Sequence, residues 1–322
     1  MVIKAQSGFF TVQAPDGQQV VARLRGRLKK EQRDTDLIAV GDHARVLIEE
    51  DGTASIEAVA ERERSLARLA PIPKGRGSRR WDRQGYLSER EQVIVANPDE
   101  VVFVFSCAEP DPHLRMLDRF LVSAESQDIP PVICANKIDL VGGLEGGQEI
   151  FGLYEEIGYP VIYTSAVTGA GVDALRDQLT GKLSVLAGPS GVGKSTLLNK
   201  MQPGLGLAAR EVSEATGKGR HTTVVPELLP LEGGGWVADT PGIKALALFD
   251  TDPEELDAYF PEIAPLVAEC QFSDCTHTVE PGCAVIAAVE AGKIHFERYE
   301  SYVILREEHQ RLADTYWWGI NE

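Results

Sequence analysis

The sequence lacks long hydrophobic runs. Its longest uninterrupted apolar segments, residues 101–105 and 284–289, contain five and six residues, whereas a helix that crosses a bilayer needs about 20. The amino end also lacks the apolar stretch of about 7 to 15 residues that a secretory signal peptide carries. We therefore expect no transmembrane helix, no membrane partner and a cytoplasmic location.

Cysteine is scarce, with five residues in 322. A chain of this length can bury a large core without disulfide staples. Hydrophobic residues make up 43% of the chain and charged residues 25%, which is close to the average for globular proteins and excludes wholesale disorder. The sequence predicts a folded protein with more than one domain.

Basic residues are few relative to acidic ones: 32 Lys and Arg stand against 49 Asp and Glu, which gives a formal net charge of −17. The first 90 residues, however, hold 17 Lys and Arg against 13 Asp and Glu, while the remainder holds 15 against 36. Residues 62–83 alone contain eight basic side chains. Nucleic-acid binding needs clustered Lys and Arg, so only this part of the chain suits it; a solvated surface loop is the alternative interpretation.

The pattern of apolar residues divides the chain into three parts. Alternating segments at 9–12, 20–24, 44–48 and 55–59 predict half-buried strands of a small antiparallel barrel or sandwich, followed by a Pro- and Gly-rich loop. From residue 93, apolar strands alternate with helical periods at 114–125, 172–179 and 194–201, which predicts an α/β domain with a mostly parallel sheet. These strands are expected at 101–105, 131–135, 161–165, 183–187, 224–228 and 236–238. The predicted domains are 1–92, 93–250 and a helical 251–322.

A phosphate-binding loop is the strongest chemical motif. The segment G-P-S-G-V-G-K-S-T fits G-x-x-x-x-G-K-[ST] between a predicted strand and a predicted helix. Its glycines let backbone amides surround an anion, Lys194 reaches the β- and γ-phosphates, and Ser195 binds Mg²⁺. The predicted contacts to the nucleotide come from Gly188, Pro189, Ser190, Gly191, Val192, Gly193, Lys194, Ser195 and Thr196.

Two upstream segments predict that the base is guanine. The sequence N-K-I-D follows the predicted strand 131–135, where open α/β sheets bind ligands. Asp139 would accept hydrogen bonds from the guanine ring N–H and amine, Lys137 would cover the base, and Asn136 would tie this loop to the phosphate loop. Ser165 and Ala166 close the next strand and could offer a backbone N–H to guanine O6. The predicted ligands are GTP and GDP.

Two downstream segments predict the magnesium and γ-phosphate contacts. In D-T-P-G, Asp239 would hold Mg²⁺ through water and the Gly242 amide would contact the γ-phosphate. Thr222 or Thr223 would be the Mg²⁺ ligand of a switch loop. Because the base-reading motifs precede the phosphate loop, the order is the reverse of an ordinary GTPase and indicates a circular permutation.

One competing motif and one cysteine cluster remain. Residues 169–174, G-A-G-V-D-A, match a dinucleotide fingerprint, but no acidic residue stands about 20 positions downstream, so we interpret them as a turn.

Cys270, Cys275, His277 and Cys283 form C-x₄-C-x-H-x₅-C, which predicts one closed, structural Zn²⁺ site per chain. Cys107 and Cys134 end apolar strands and are expected to be core residues.

A basic barrel, permuted GTPase motifs and a Cys₃His tail together resemble the RsgA family of bacterial small ribosomal subunit biogenesis GTPases. The stretches 96–106, 117–122 and 219–223 are also similar to that family. The resemblance implies an oligonucleotide-binding (OB) barrel, then a permuted P-loop GTPase domain, then a helical zinc domain. It also implies a late assembly factor that binds the small (30S) ribosomal subunit and 16S rRNA and hydrolyses GTP in response; we expect a monomer.

Catalysis requires a group that orients water. The residue after D-T-P-G is Ile243, which cannot do so, and His221 beside the switch threonines is the candidate catalytic residue, resembling the family's H-T-T stretch. The alternative is a solvent-exposed loop histidine. Two other functions stay open from the sequence: a protein that binds GTP as a structural ligand, and a GTPase that serves another RNA or a membrane.

Overall fold

The computed structural model describes residues 1–6, 8–25, 36–69, 91–203, 227–239 and 253–318. Within these ranges the strands are β1 Val2–Gln6, β2 Phe9–Gln13, β3 Gln19–Leu24, β4 Ala44–Ile48, β5 Ala54–Val59, β6 Ser65–Leu69, β7 Glu91–Ala96, β8 Glu100–Ser106, β9 Pro131–Asn136, β10 Val161–Thr164, β11 Leu183–Ala187, β12 Glu227–Pro230 and β13 Trp236–Asp239. The helices are α1 Leu114–Glu125, α2 Leu144–Ile157, α3 Val172–Leu179, α4 Lys194–Met201, α5 Ala284–Glu290 and α6 Phe296–Trp318.

None of the helices within the described ranges combines the length and the hydropathy needed to cross a bilayer.

The first five strands form a barrel with the strand order of an OB fold. Their hydrogen-bonded order is β1-β2-β3-β5-β4, and β3 and β5 run parallel while the other neighbours are antiparallel. Inward-facing Phe10, Val12, Ala22 and Ile56 are buried, as the alternating pattern requires. The four strands predicted here are confirmed; β1 was not predicted.

The following strands form the parallel sheet predicted for the second part of the chain. The order β10-β9-β8-β11-β13-β12 is parallel except for the antiparallel pair of β12 and β13. Every residue of β8 and of β11 is buried, which explains their unbroken apolar sequences. Helices α1, α3 and α4 have the predicted bounds. The predicted strand 224–228 corresponds to β12, although residues 224–226 lie outside the described segments.

Helix α2 was not predicted, and its glycines explain why. Gly146 and Gly147 lie in its first turn, where a Cβ would be 1.8 Å from the Val141 carbonyl oxygen and 2.9 Å from the Tyr163 ring, respectively. Close packing therefore excludes larger residues at these positions. Glycine is a poor helix former, so the local sequence does not predict this helix, which tertiary contacts stabilise.

The barrel and the parallel sheet are continuous. Strand β1 pairs with β12 at Lys4 and Glu227, whose side chains form a 2.7 Å ion pair, so eleven strands belong to one sheet. Barrel residues Ile3 and Val40 also belong to the same buried cluster as Phe103 of β8. The antiparallel ribbon of β6 and β7 contributes to this cluster through Leu66 and Val95. The two parts therefore share a hydrophobic core.

The carboxyl-terminal part packs α5 and α6 around short helical turns. The first part of the region predicted as helical, 251–322, contains the 3-10 turns Leu256–Tyr259 and Ala264–Glu269 rather than an α-helix. Pro261 and Pro265 interrupt this segment, because proline lacks the N–H that a continuous helix needs.

A buried ion pair joins α6 to α1. The Arg298 side chain is 1% exposed, and its Nη1 lies 2.6 Å from Oδ1 of Asp118 while its Nε lies 2.7 Å from Oε1 of Glu262. The Tyr154 hydroxyl donates to the same Asp118 oxygen at 2.8 Å. Because each charge is paired and hydrogen-bonded, burial does not leave an unsatisfied ion. The contact fixes the carboxyl-terminal part against the parallel sheet's helices.

Candidate functional site

The predicted phosphate loop connects β11 to α4, at the carboxyl edge of the parallel sheet. Gly188 has φ 145°, and a Cβ there would lie 2.1 Å from the Val104 carbonyl oxygen. Gly193 has φ 101° and caps α4, and its Cβ would lie 2.4 Å from Nδ2 of Asn136. Only glycine satisfies both the backbone angle and the space. The loop is therefore packed directly against β8 and β9.

Lys194 turns back over this loop. Its Nζ donates hydrogen bonds of 2.8 Å to the carbonyl oxygens of Gly188 and Pro189. The backbone N–H groups of the first turn of α4 face the same side as the loop, and their partial positive charge favours an anion. Lysine and helix terminus together provide an electrostatic site for phosphate groups.

Asn136 connects the base-reading strand to the phosphate loop. Its side chain is 1% exposed, its Nδ2 donates to the Val192 carbonyl oxygen at 2.8 Å, and its Oδ1 accepts a 3.1 Å hydrogen bond from the Thr164 hydroxyl. Strands β9, β10 and β11 are thereby linked at their carboxyl ends. The structure shows the contact that the sequence analysis predicted for this side chain.

Lys137 and Asp139 follow immediately. Lys137 adopts a left-handed backbone conformation with φ 65°, and its Nζ donates to the Glu109 carbonyl oxygen. Asp139 lies in the 3-10 turn Ile138–Leu140 and is exposed. Its carboxylate is therefore open to a ligand beside the strand end.

The turn after β10 holds Ser165 and Ala166. The Ser165 N–H donates to the Ala170 carbonyl oxygen at 2.9 Å, and its hydroxyl accepts from Thr168 N–H at 3.1 Å. Gly171 has φ 67°, and a Cβ there would lie 1.9 Å from the Tyr163 carbonyl oxygen. Residues 169–171 thus serve as a tight turn that supports Ser165, as the sequence analysis interpreted them. Because the Ser165 amide is engaged, Ala166 is the better candidate to offer an N–H to a base.

Sequence reasoning missed the loop between β8 and α1, which borders this site. The Ser106 hydroxyl donates to the Pro110 carbonyl oxygen at 2.7 Å, Glu109 accepts from Lys137, and Pro110 Cδ would lie 3.7 Å from a Cβ at Gly191. The only sequence signal is a Pro-rich turn after an apolar strand. The loop therefore borders the phosphate loop and holds the base-reading lysine.

The two predicted core cysteines are buried. Burial and the nearby Asp139 carboxylate raise the pKa of the Cys107 thiol to about 11, and burial raises the pKa of Cys134 to about 12. Both thiols therefore remain neutral at physiological pH.

Several predicted site residues cannot be placed. His221, Thr222, Thr223 and Gly242 lie outside the described segments, as do residues 70–83 of the basic stretch. Asp239 is the last residue of β13, which pairs directly with β11, the strand that leads into the phosphate loop. The structure does not describe the Asp239 side chain.

The four predicted metal ligands converge. One ligand atom from each of Cys270, Cys275, His277 and Cys283 lies within 4.8 Å of all the others. The Cys270 and Cys283 sulfur atoms are 3.9 Å apart, and His277 Nδ1 lies 3.5 and 3.4 Å from them, respectively. Three thiols and an imidazole at these distances can hold one metal ion.

Supporting contacts around this cluster were not predicted from the sequence. Asp257 Oδ2 lies 3.1 Å from His277 Nε2, which leaves Nδ1 facing the sulfur atoms, and the Tyr299 hydroxyl donates to the His277 carbonyl oxygen at 2.8 Å. Glu280 accepts hydrogen bonds from the Thr276 hydroxyl and from the backbone N–H groups of Thr276, Thr278 and Val279. Burial alone would raise the pKa of its carboxyl, but the bonds from the Thr276 hydroxyl and from the Thr276 and Val279 N–H groups outweigh burial and lower it. An ionised Glu280 therefore fixes the turn that carries the histidine.

Comparison with known proteins identifies the family. The profile of the RsgA GTPase family matches residues 80–249, and that of the RsgA N-terminal domain matches residues 1–56. The small ribosomal subunit biogenesis GTPase RsgA of Gemmatimonas aurantiaca is 45% identical over 312 residues, which cover 96% of each chain. The chain belongs to the RsgA family. The RsgA of Moorella thermoacetica is 42% identical over 310 residues, covering 95% of this chain and 96% of its own.

Solved structures of similar proteins agree with this membership in RsgA. YjeQ from Thermotoga maritima has a TM-score of 0.76 and 36% identity, covering 96% of this chain and 97% of its own. YloQ, a circularly permuted GTPase, has a TM-score of 0.70 and 32% identity, covering 96% of this chain and 94% of its own. The RsgA-family chain is accordingly a GTP hydrolase with permuted motif order, as its sequence predicted.

Gly193 provides a test of the nucleotide site. We expect Gly193→Ala to weaken GDP binding about 10-fold or more, because the new Cβ is strained at φ 101° and displaces Asn136 from the phosphate loop. Titration with a fluorescent GDP analogue measures the affinity. Gly152→Ala, in α2 with open space around it, is the matched control and should bind GDP normally. Equal affinity in the two variants would contradict the assigned role of Gly193.

Proposed function

We propose that this RsgA-family GTPase acts in late assembly of the small (30S) ribosomal subunit, binds its 16S rRNA, and hydrolyses GTP in response to the subunit. The observation that carries the proposal is the shared sheet, in which an OB-type barrel is paired directly, through β1 and β12, with the strands that form the GTPase site. Relatives of similar length and 38–45% identity are named as biogenesis GTPases of the small subunit.

The nucleotide contacts follow from the site's geometry. Asp139 accepts from guanine N1–H and the exocyclic amine, a pair of donors that adenine does not present. Lys137 covers the base, and the Ala166 amide donates to O6. Lys194 and the amides of the phosphate loop neutralise the phosphates. The remaining loop residues, Gly188, Pro189, Ser190, Gly191, Val192, Gly193, Ser195 and Thr196, surround the phosphate chain.

Hydrolysis consists of the attack of water on the γ-phosphate. Ser195, either Thr222 or Thr223 and, through water, Asp239 would hold Mg²⁺, which would supply charge neutralisation at the phosphates. Lys194 adds to that neutralisation, and the Gly242 amide contacts the γ-phosphate. His221 orients the attacking water, because Ile243 stands where a polar side chain would otherwise be expected. Intrinsic turnover is therefore slow and depends on the subunit to order the switch segment.

The Cys₃His cluster holds one structural Zn²⁺. A tetrahedral zinc ion with bonds of about 2.3 Å to sulfur and 2.0 Å to nitrogen separates two sulfur ligands by about 3.8 Å and sulfur from nitrogen by about 3.5 Å. The distances of 3.9, 3.5 and 3.4 Å in the cluster match this geometry. Four protein ligands leave no position for water, so the ion stabilises the fold and takes no part in hydrolysis.

The chain is organised as a barrel with a basic linker at 1–92, a permuted GTPase domain at 93–250 and a helical zinc domain at 251–322. Buried clusters of their own around Phe10 in the barrel and around Phe260 in the carboxyl-terminal part support this division, while Ile3 and Val40 join the barrel to the core of the GTPase domain. The positive charge of the first part makes it the RNA-binding part. The protein acts as a monomer in the cytoplasm, where the subunit is assembled.

GTP turnover with purified ribosomal subunits tests the proposed function. We expect small subunits to raise the turnover rate at least about 10-fold, because ordering of the switch segment supplies the missing catalytic geometry. Phosphate release is measured, with large subunits as the partner control and ATP as the base control. Normal GTP binding without any rate change on adding small subunits would refute the ribosomal role.

The His221→Ala variant separates catalysis from binding in the same assay. Its stimulated turnover should fall while its affinity for GTP stays near that of the wild type. Stimulated turnover equal to the wild type would remove His221 from the mechanism.

Asp257 tests the metal site. We expect Asp257→Asn to lower Zn²⁺ affinity by about 10- to 100-fold, because the carboxylate that accepts from His277 orients the ring and raises its basicity. Competition with a coloured chelator measures this affinity. Asp274→Asn is the control, since Asp274 is an exposed side chain between the ligands in sequence. Equal zinc affinity for both variants would argue against this supporting role.

A further inference from the structure

The outward face of β2 and β3 carries an unusual group of exposed side chains. Phe9 is 41% exposed and stands directly opposite Arg23 in the strand register, and Val21 is 61% exposed opposite Thr11. We call these four residues the barrel platform. Thr11 is partly buried, whereas Phe9, Val21 and Arg23 are exposed on the same outward face. Two large apolar side chains beside an arginine on this face are a candidate binding surface, because neither is needed to fill the barrel core.

Folding alone does not account for Phe9. The neighbouring Phe10 and Val12 point into the barrel and are buried there with Ala22, so the core is filled from the other face of the strands. The Arg23 guanidinium lies 4.4 Å from the centroid of the Phe9 ring. This stacking holds the ring in place while its remaining surface stays in water.

The charge of the platform differs from that of the whole protein. None of its four residues is acidic, although the chain has a net charge of −17. Arg25, which directly follows β3, pairs with Glu57, whereas Arg23 has no carboxylate partner among the residues that the structure describes. A stacked guanidinium also keeps its N–H donors at the edge of the plane, where they can reach phosphate oxygens.

We propose that the barrel platform binds an unpaired nucleotide of single-stranded RNA, with the base stacked on Phe9 and a phosphate bound by Arg23. This proposal rests on the proposed ribosomal function and names the chemistry by which the barrel contacts RNA. Aromatic rings beside arginine are the sequence-tolerant platform on which bases stack, and the second and third strands of an OB barrel form its usual ligand face. Val21 extends the apolar area beside the ring.

Phe9 and Leu47 form a matched pair for the test. Leu47 lies in β4 of the same barrel and is 42% exposed, but it has no aromatic face. In the full-length protein, we expect Phe9→Ala to weaken binding of a fluorescein-labelled single-stranded RNA about 5- to 100-fold, the usual effect of removing one stacked base. Phe9→Trp should retain binding and show quenched Trp emission on adding the RNA, and Leu47→Ala should bind like the wild type. Fluorescence anisotropy gives the affinities, and thermal unfolding verifies that each variant is folded.

The outcomes separate this inference from the proposed function. If the Phe9→Ala variant binds RNA and small subunits as tightly as the wild type does, the barrel platform is not an RNA-binding site, and the ribosomal role stands. If Phe9→Ala loses small subunits but retains RNA, the platform contacts a ribosomal protein, and the RNA proposal is overturned. If the wild type itself ignores small subunits, the proposed function fails.

Discussion

The hydrogen bonds of Asn136 hold together two halves of a site that the chain order separates. Its amide donates to Val192 of the phosphate loop, 56 positions later in the sequence, and accepts from Thr164 at the end of the next strand. Gly193 must be glycine because this amide occupies the space that a side chain would need. The segment predicted to read the base and the segment predicted to bind phosphate thereby lie side by side, although they appear in the reverse of the usual order.

The continuous sheet extends this constraint to the barrel. Strand β12 lies between β13, which ends at Asp239, and β1 of the barrel, and the predicted switch threonines, Thr222 and Thr223, precede β12 by five and four residues in the sequence. The barrel is therefore paired with a strand that neighbours Asp239 in the sheet and follows the predicted switch threonines in the sequence. Arg298 and Asp118 fix the carboxyl-terminal part to α1, and the loop that precedes α1 contacts Lys137. Both flanking parts thus contact elements that border the predicted nucleotide site.

Much of this arrangement could be predicted from local sequence. Helices α1, α3 and α4 and the barrel strands β2 to β5 follow from periodicity, and the spacing of Gly188, Gly193 and Lys194 or of the Cys₃His residues has a direct chemical reason. Helix α2 escaped prediction because its glycines serve tertiary packing. Three contacts could not be predicted because each joins residues that are distant in the sequence, and no local pattern indicates such a contact. They are the ion pair of Arg298 with Asp118, the contact of Asp257 with His277, and the contact of the Glu109 loop with Lys137.

In the proposed nucleotide site, Asp139 reads guanine beside a phosphate loop that Asn136 holds in place. Binding of GDP and of xanthosine diphosphate to the Asp139→Asn variant tests it most directly. An asparagine amide offers a donor to the extra carbonyl oxygen of xanthine and loses an acceptor for the guanine amine. The account predicts that GDP affinity falls about 100-fold or more while the affinity for xanthosine diphosphate rises. Unchanged GDP affinity in this variant would contradict the assignment of the base-reading site.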